Sequence, residues 1–236
     1  MINQSEISRN HQIPSKDEII GNGHIFLVIK PTGWSSFDIV KKIRIHFGVK
    51  KVGHAGTLDP LASGLLIVGT GKKTKEISRY SELEKEYEGV MVLGASTASF
   101  DTETEITALK DYSNIKMSDI ENAFQSYIGN QLQKPPMYSA VKHQGKRLYR
   151  YAREGQAIIS KDREVNIEEL KILGYNLPEV SFKVTCSKGT YVRSLVNDIG
   201  EKLGCGAYLK TLTRTRIGQF SIREALTIEE LTLPKN

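Results

Sequence analysis

Hydrophobic positions along the chain change period several times, and each change marks an element. "HIFLVIK" (residues 24–30) is an unbroken apolar run closing on Lys30 and Pro31, the signature of a buried strand. Beyond the turn "PTGWSS", Ile39, Val40, Ile43 and Phe47 recur at helical spacing. Ser35 or Ser36 stands ready to cap that helix and Gly48 to end it; Lys41, Lys42 and Arg44 fall off its apolar stripe. "LLIVGTG" and "KEYEGVMVLGA" read as strands. "SDIENAFQSYIG" reads as a helix with Ser118 and Glu121 at capping-box spacing, Ile120, Phe124, Tyr127 and Ile128 on one face, and Gly129 as its stop. "VSFKVTCS" alternates as a strand. "VRSLVNDIGEKLG" carries Val192, Leu195, Val196, Ile199 and Leu203 on one helical stripe, and "GQFSIREALTIEEL" is a strand followed by a short helical turn.

Residues 1–23 are polar and lack sustained periodicity, so they are expected to be a flexible N-terminal tail. Residues 24–236 then form one domain. Strands and helices mix irregularly rather than as repeating βαβ units, which favours an α+β fold over a doubly wound one. No apolar run reaches bilayer length, and the first residues lack the apolar core of a secretion signal. Cys186 and Cys205 match no metal-ligand spacing and read as two reduced thiols, in keeping with the cytoplasm.

Lys plus Arg number 33 against 27 for Asp plus Glu, a net charge of +6. Such an excess is compatible with a polyanionic partner. The segment "KHQGKRLYRYAREG" sharpens it. Lys142, Lys146, Arg147, Arg150 and Arg153 interleave with Tyr149 and Tyr151, a pairing of phosphate contacts with rings that stack on unpaired bases; the plain alternative is a solvated charged face. Lys210, Arg214 and Arg216 make a second basic cluster. Asp101, Glu103 and Glu105 alternate in "DTETE" and read as a solvated hairpin, with a divalent-ion site as the less favoured reading. "GTGKKT" fails the phosphate-loop pattern, because no register places glycines and the Lys-Ser/Thr pair together. His24, His46 and His143 show no pairing pattern.

"GHAGTLDPLASG" sets the lone carboxylate of Asp59 in a glycine-punctuated bend ahead of a strand. Pro60 pushes Asp59 toward extended backbone. Most loop aspartates do no more than bond neighbouring amides, and this stretch alone goes no further. His54, five residues earlier, is the one histidine that accompanies it.

Several stretches together resemble one family. "GHAGTLDPLASGLLIVGTGKKTK" is similar to the catalytic motif of the TruB family of tRNA pseudouridine synthases, and "KPTGWSS" to its N-terminal motif. "KEYEG" resembles its tyrosine motif, "PPMYSAVKHQGKRLYRYAREG" its central segment, and "CSKGTYVRSLVNDIGEKLGCGAYLKTLTRTRIG" its C-terminal catalytic segment. The resemblance runs in order from about residue 24 to 232. It implies a mixed, mainly antiparallel sheet flanked by helices. It also implies isomerisation of uridine 55 in the T loop of tRNA, by base flipping, without metal or cofactor, by a cytoplasmic monomer. By the same resemblance Asp59 is the catalytic aspartate, Tyr87 the active-site tyrosine, Arg193 the arginine paired with the aspartate, and His54 a residue that helps extrude the base. Lys30 and Leu212 match positions near the bound nucleotide. The chain is expected to lack the further C-terminal RNA-binding domain that many members carry, and "GASTASFDTETEI" differs from the family's usual pattern, which suggests a looser loop. Two rival functions are an RNA-binding protein or tRNA folding chaperone without turnover, and a related synthase with another RNA target.

Overall fold

Short hydroxyl side chains, those of Ser15, Ser35 and Thr227, cap three of the helix starts. The computed structural model describes residues 13–156, 158 and 160–233. Ser15 and Glu18 close a reciprocal capping box that begins α1 (Lys16–Asn22), whose Ile19 is fully buried. The tail expected over residues 1–23 is therefore helical in its last part; residues 1–12 lie outside the described residues. In chain order there follow β1 (Ile25–Lys30), α2 (Ser36–Phe47), β2 (Val52–His54), β3 (Ser63–Thr70), α3 (Ile77–Ser81), β4 (Lys85–Leu93), β5 (Ala95–Thr97), β6 (Ile106–Leu109), α4 (Met117–Gln125) and β7 (Gly129–Gln133). The chain continues with β8 (Lys142–His143), β9 (Lys146–Arg147), α5 (Leu148–Arg153), β10 (Arg163–Asn176), β11 (Glu179–Cys186), α6 (Val192–Lys202), β12 (Ala207–Ile217), β13 (Phe220–Ser221) and α7 (Ile228–Thr232).

The described chain divides into two compact units, one reaching to Tyr87 and resuming at Thr213, the other spanning Glu88–Leu212. β4 and β12 each cross that division. In the first unit the strand order is β1–β3–β12, with β2 on β3 and β13 on β12. β1 runs antiparallel to β3, from Ile25 opposite Gly69 to Lys30 opposite Gly64, and β3 runs parallel to β12 at Ser63–Thr213 and Gly64–Arg214. Alternate residues feed two cores. Phe26, Val28, Leu66 and Val68 pack with Ile39, Ile43 and Phe47 of α2 and Ile228 of α7; Ile25, Leu27, Leu65 and Ile67 pack with Ile77, Tyr80 and Phe220. A sheet covered on both faces explains why "HIFLVIK" lacks polar alternation.

In the second unit the order is β12–β4–β11–β10–β7, with β10 antiparallel to both β11 and β7. The α4 helix packs on β10 and α6, and Phe124 meets Phe182 edge-on at 6.5 Å. This helix starts before Ser118: the Asp119 carboxylate accepts from the Lys116 amide at 2.9 Å. It also stops at Gln125, and Gly129, at φ 98°, opens β7 instead of ending the helix. Strand pairs β1–β3, β2–β3, β7–β10, β10–β11 and β12–β13 are antiparallel and β3–β12 is parallel, so the α+β architecture with a mainly antiparallel sheet is the one observed.

Candidate active site

Asp59 owes its position to backbone contacts made by its neighbours. Ser36 is the first residue of α2 and is buried, so its hydroxyl needs internal partners. It finds them on the loop: the Leu58 amide donates to Ser36 Oγ at 2.9 Å, and Oγ donates to the Leu58 carbonyl at 3.3 Å. On the other side of Asp59 the Gly33 amide donates to the Pro60 carbonyl at 2.7 Å. Ala55, Leu58 and Ala62 are buried while Asp59 is part-buried, so the bend turns its apolar side chains inward and keeps Asp59 partly accessible.

Arg214 grips the same loop from β12. It is fully buried, with Nε donating to the Leu65 carbonyl at 2.7 Å and Nη2 to the Gly56 carbonyl at 3.2 Å. One guanidinium thus brackets the loop on both sides of Asp59. The approach is permitted by Gly64, at φ 110°, where a Cβ would lie 2.3 Å from the Arg214 carbonyl oxygen. The basic cluster read at Lys210, Arg214 and Arg216 is therefore used internally. Lys210 pairs with Glu179, and Arg216 pairs with Glu84 at 2.6 Å and Glu86 at 3.6 Å.

Lys30 ends β1 fully buried, its Nζ donating to the carbonyls of Pro31 at 3.0 Å and Trp34 at 2.5 Å. Burial lowers its pKa from 10.5 to about 8, with the Asp59 charge opposing that shift and Arg214 adding to it. Lys30 thus senses both the aspartate and the arginine. His54, at the end of β2, also has a lowered pKa, through burial first and Arg214 second, with the Gly56 backbone opposing. Its Nδ1 is buried and makes no hydrogen bond among the described residues. Tyr87 lies buried on β4 and belongs to the same unit.

Arg193 and Leu212 are in the second unit. Leu212 is buried on β12, where a Cβ on Gly89 would touch it at 3.2 Å. Arg193 starts α6, as the sequence indicates, yet it is only 3% exposed, so it is not a helix-surface arginine. Its Nε lies 3.3 Å from Asp101 Oδ2, and Nη1 and Nη2 donate to the carbonyls of Ser99 at 2.9 Å and Tyr138 at 3.0 Å. The hairpin expected at "DTETE" is formed by β5 and β6 with Glu103 and Glu105 exposed, and only Asp101 departs from the solvated reading. Asp101 is 0% exposed, and its Oδ1 accepts from the Glu103 amide at 2.9 Å. Thr97 and Ser99 donate to the Asp101 carbonyl, and Phe100 turns the chain at φ 64°. The loop expected to be loose is held by these bonds, and the pairing of Asp101 with Arg193 is what its reading as a solvated residue did not foresee.

The basic central segment forms the β8–β9 hairpin, turning at Gln144 and Gly145 with φ of 48° and 82°, and then α5. Lys146 pairs with Glu154 and sits 4.5 Å over the Tyr151 ring. Arg153 lies 3.6 Å from Glu103 and 5.5 Å over the Tyr149 ring. Lys142, Arg147 and Arg150 are exposed and form no ion pair among the described residues. The Tyr149 hydroxyl, held first by Arg150 and then by Arg147, has its pKa lowered.

A family model described as TruB family pseudouridylate synthase (N terminal domain) matches residues 44–192, and one described as tRNA pseudouridylate synthase B C-terminal domain matches residues 193–234. Similar curated proteins carry the name tRNA pseudouridine synthase B. That of Chloroherpeton thalassium is 50% identical over 215 residues, 89% of this chain and 89% of the relative. That of Chlorobaculum tepidum is 48% identical over 212 residues, 88% of each chain. A solved Cbf5–Nop10–Gar1 complex aligns with TM-score 0.72 and 28% identity over 93% of this chain, which spans 56% of the matched one.

Proposed function

The chain belongs to the TruB family of pseudouridylate synthases, and from that premise we propose how its residues convert a uridine of tRNA to pseudouridine. The activity is that isomerisation. The base leaves the sugar at N1, turns, and rejoins through C5. A proton leaves C5 and N1 ends protonated, so nothing is gained or lost overall. Such chemistry needs a fixed basic or nucleophilic oxygen close to the sugar and ring.

Asp59 is our choice for that oxygen, acting as nucleophile or as base. The observation that carries it is the pinning of its loop by Ser36, Gly33 and Arg214, with the buried Lys30 feeling the aspartate's charge. A carboxylate entering a dry pocket drifts toward its neutral form, and nearby cations oppose that. Arg193 is the further cation we assign to Asp59, with Asp101 fixing its guanidinium. A stacked base is out of reach, so the uridine must flip, with Tyr87 stacking on it and His54 assisting extrusion. Leu212 borders the nucleotide. Lys142, Lys146, Arg147, Arg150 and Arg153 face the T arm, and uridine 55 is the target; Lys142, Arg147 and Arg150, without ion pairs among the described residues, are the ready phosphate contacts.

We further propose a monomer working in the cytoplasm; no described helix is long and apolar enough to cross a membrane. Curated relatives at 48–50% identity, named as synthases, favour turnover over binding alone and over another RNA target. The test is Asp59→Asn and Asp59→Ala with a T-arm stem-loop as substrate. Pseudouridine formation falls by at least about 10³-fold while RNA affinity is kept. Either variant turning over within tenfold of the parent refutes the assignment.

A further inference from the structure

The outer face of α2 carries a second feature that the chemistry above does not use. Its inner positions, Ile39, Val40, Ile43 and Phe47, are buried in the core, as their spacing requires. Its outer positions are not the plain polar face of a surface helix. Phe37 and Ile45 are 62% and 67% exposed, and Lys41, Lys42 and Arg44 stand among them. An open groove of about 410 Å³ runs along this face, lined by Gly33, Trp34, Asp38, Lys41, Lys42 and Ile45.

Three observations say what fits there. First, the charge is net cationic, with Lys41 offset in part by Asp38. Neither Lys41 nor Lys42 forms an ion pair among the described residues, whereas Asp38 is occupied by the Ser35 amide at 2.8 Å and the Ser35 hydroxyl at 2.6 Å. Second, the indole of Trp34, part-buried against the core, lines the groove beside the lysines, and ammonium groups beside a ring edge are what an RNA strand with an unpaired base requires. Third, the groove begins at the turn that supports Asp59. Gly33 donates to the Pro60 carbonyl, and the Trp34 carbonyl accepts from Lys30 Nζ.

We propose that this groove takes the stretch of tRNA running on from the reacting uridine, with Lys41 and Lys42 on its phosphates and Trp34 beside an unpaired base. This rests on the reading of Asp59 as the reacting centre. The segment expected to bind RNA from its composition, Lys142 to Arg153, lies far along the chain. The α2 face is a separate contact that the sequence shows only as the off-core side of a helix.

Trp34 is the single tryptophan of the chain, so tryptophan emission reports on this groove and the turn beside it, and the salt slope of the lysine variant separates the two. The test titrates the parent protein and the Lys41→Glu/Lys42→Glu double variant with unmodified tRNA between 50 and 200 mM salt, probe concentrations chosen for the assay. In the parent, tRNA quenches the tryptophan emission. In the variant the quench shrinks, Kd rises about 5- to 20-fold, and the slope of log K against log salt falls by about two, one per lysine. Turnover at saturating tRNA stays within twofold, because neither lysine touches the reacting atoms. Equal Kd and equal slope in parent and variant overturn the proposal, and so does tRNA binding that leaves the tryptophan emission unchanged. If the parent binds tRNA but makes no pseudouridine, the assignment of Asp59 fails, and the fluorescence and salt slope still decide the groove. Unchanged tRNA binding alongside capture of an acidic protein also overturns it.

Discussion

Replacing Arg214 by lysine tests the account of how Asp59 is held. The guanidinium donates to the carbonyls of Leu65 and Gly56 from two different nitrogens, and is 1% exposed. A hydrogen bond involving a charged group contributes roughly 1.5–3 kcal/mol, so losing both costs about 3–6 kcal/mol, a large share of a typical 5–15 kcal/mol stability. Alanine at this position risks unfolding the unit. Lysine keeps the charge and reaches one carbonyl, so the loss is about 2 kcal/mol, or about 4–8 °C in Tm at about 2–4 °C per kcal/mol.

Function suffers more than stability. The Ser36 and Gly33 contacts remain, so the loop stays folded, but its Gly56 or its Leu65 end is released. A misplacement near 1 Å costs up to about 10²-fold in rate. Single-turnover release of tritium from C5-labelled uridine, at saturating tRNA, measures the step directly. The Arg214→Lys rate falls about 10- to 100-fold, while tRNA affinity from filter retention stays within about twofold. A variant with the parental rate, or one damaged only in tRNA affinity, would refute the reasoning. The second outcome would return Arg214 to the phosphate-contacting role its basic neighbourhood suggests.

Two other perturbations follow from the same coordinates. Asp101→Ala strips the buried Arg193 of its ion-pair partner in the second unit, at a cost of about 3–5 kcal/mol; thermal melting followed by circular dichroism registers it, and a melt unchanged within 2 °C would contradict it. Asp101→Asn, which keeps an acceptor for the Glu103 amide, loses less. His24 has its pKa lowered from 6.5 to about 4, by burial first and Lys73 second, with Glu18 opposing. Between those values the unfolded chain takes up a proton that the folded chain refuses, so stability is lost as pH falls from about 6.5 toward 4. The urea midpoint of His24→Gln therefore changes less between pH 7 and 5 than that of the parent, and equal changes would argue against it.

Much of this arrangement is written in local patterns, and the exceptions have a common cause. The α2 helix, the strands β1, β3 and β4, and the α6 stripe follow from spacing, because each buries one face or two against whatever lies nearest. The bend at Asp59 is marked locally by Pro60 and the glycines around it, but the contacts that hold it, from Ser36, Gly33 and Arg214, come from distant parts of the chain. Asp101 was not legible: its burial depends on a positive-φ turn at Phe100 and on an arginine far along the chain. The N-terminal helix was missed because Ser15 and Glu18 sit in polar surroundings with a single buried anchor at Ile19. Arg214 is the instructive case. In "LTRTR" it lies two positions from Leu212 on one strand, so the alternation that puts Leu212 inside puts Arg214 inside as well. Counting charges concealed this; following the alternation reveals it.

That distinction divides the chain's cations by work. Lys30, Arg193 and Arg214 are buried and spend their hydrogen bonds on backbone carbonyls, with Asp101 alongside Arg193. A buried cation with its donors occupied cannot shed counterions when RNA arrives, so none of the three contributes to the salt dependence of binding. On the proposed reading, that dependence comes from exposed groups, among them Lys142, Arg147 and Arg150 on the hairpin and α5, and Lys41 and Lys42 on α2. The net charge of +6 therefore says little about where tRNA binds. Burial separates the cations bound to the protein's own carbonyls from those proposed to meet phosphate, and the two sets are separately mutable.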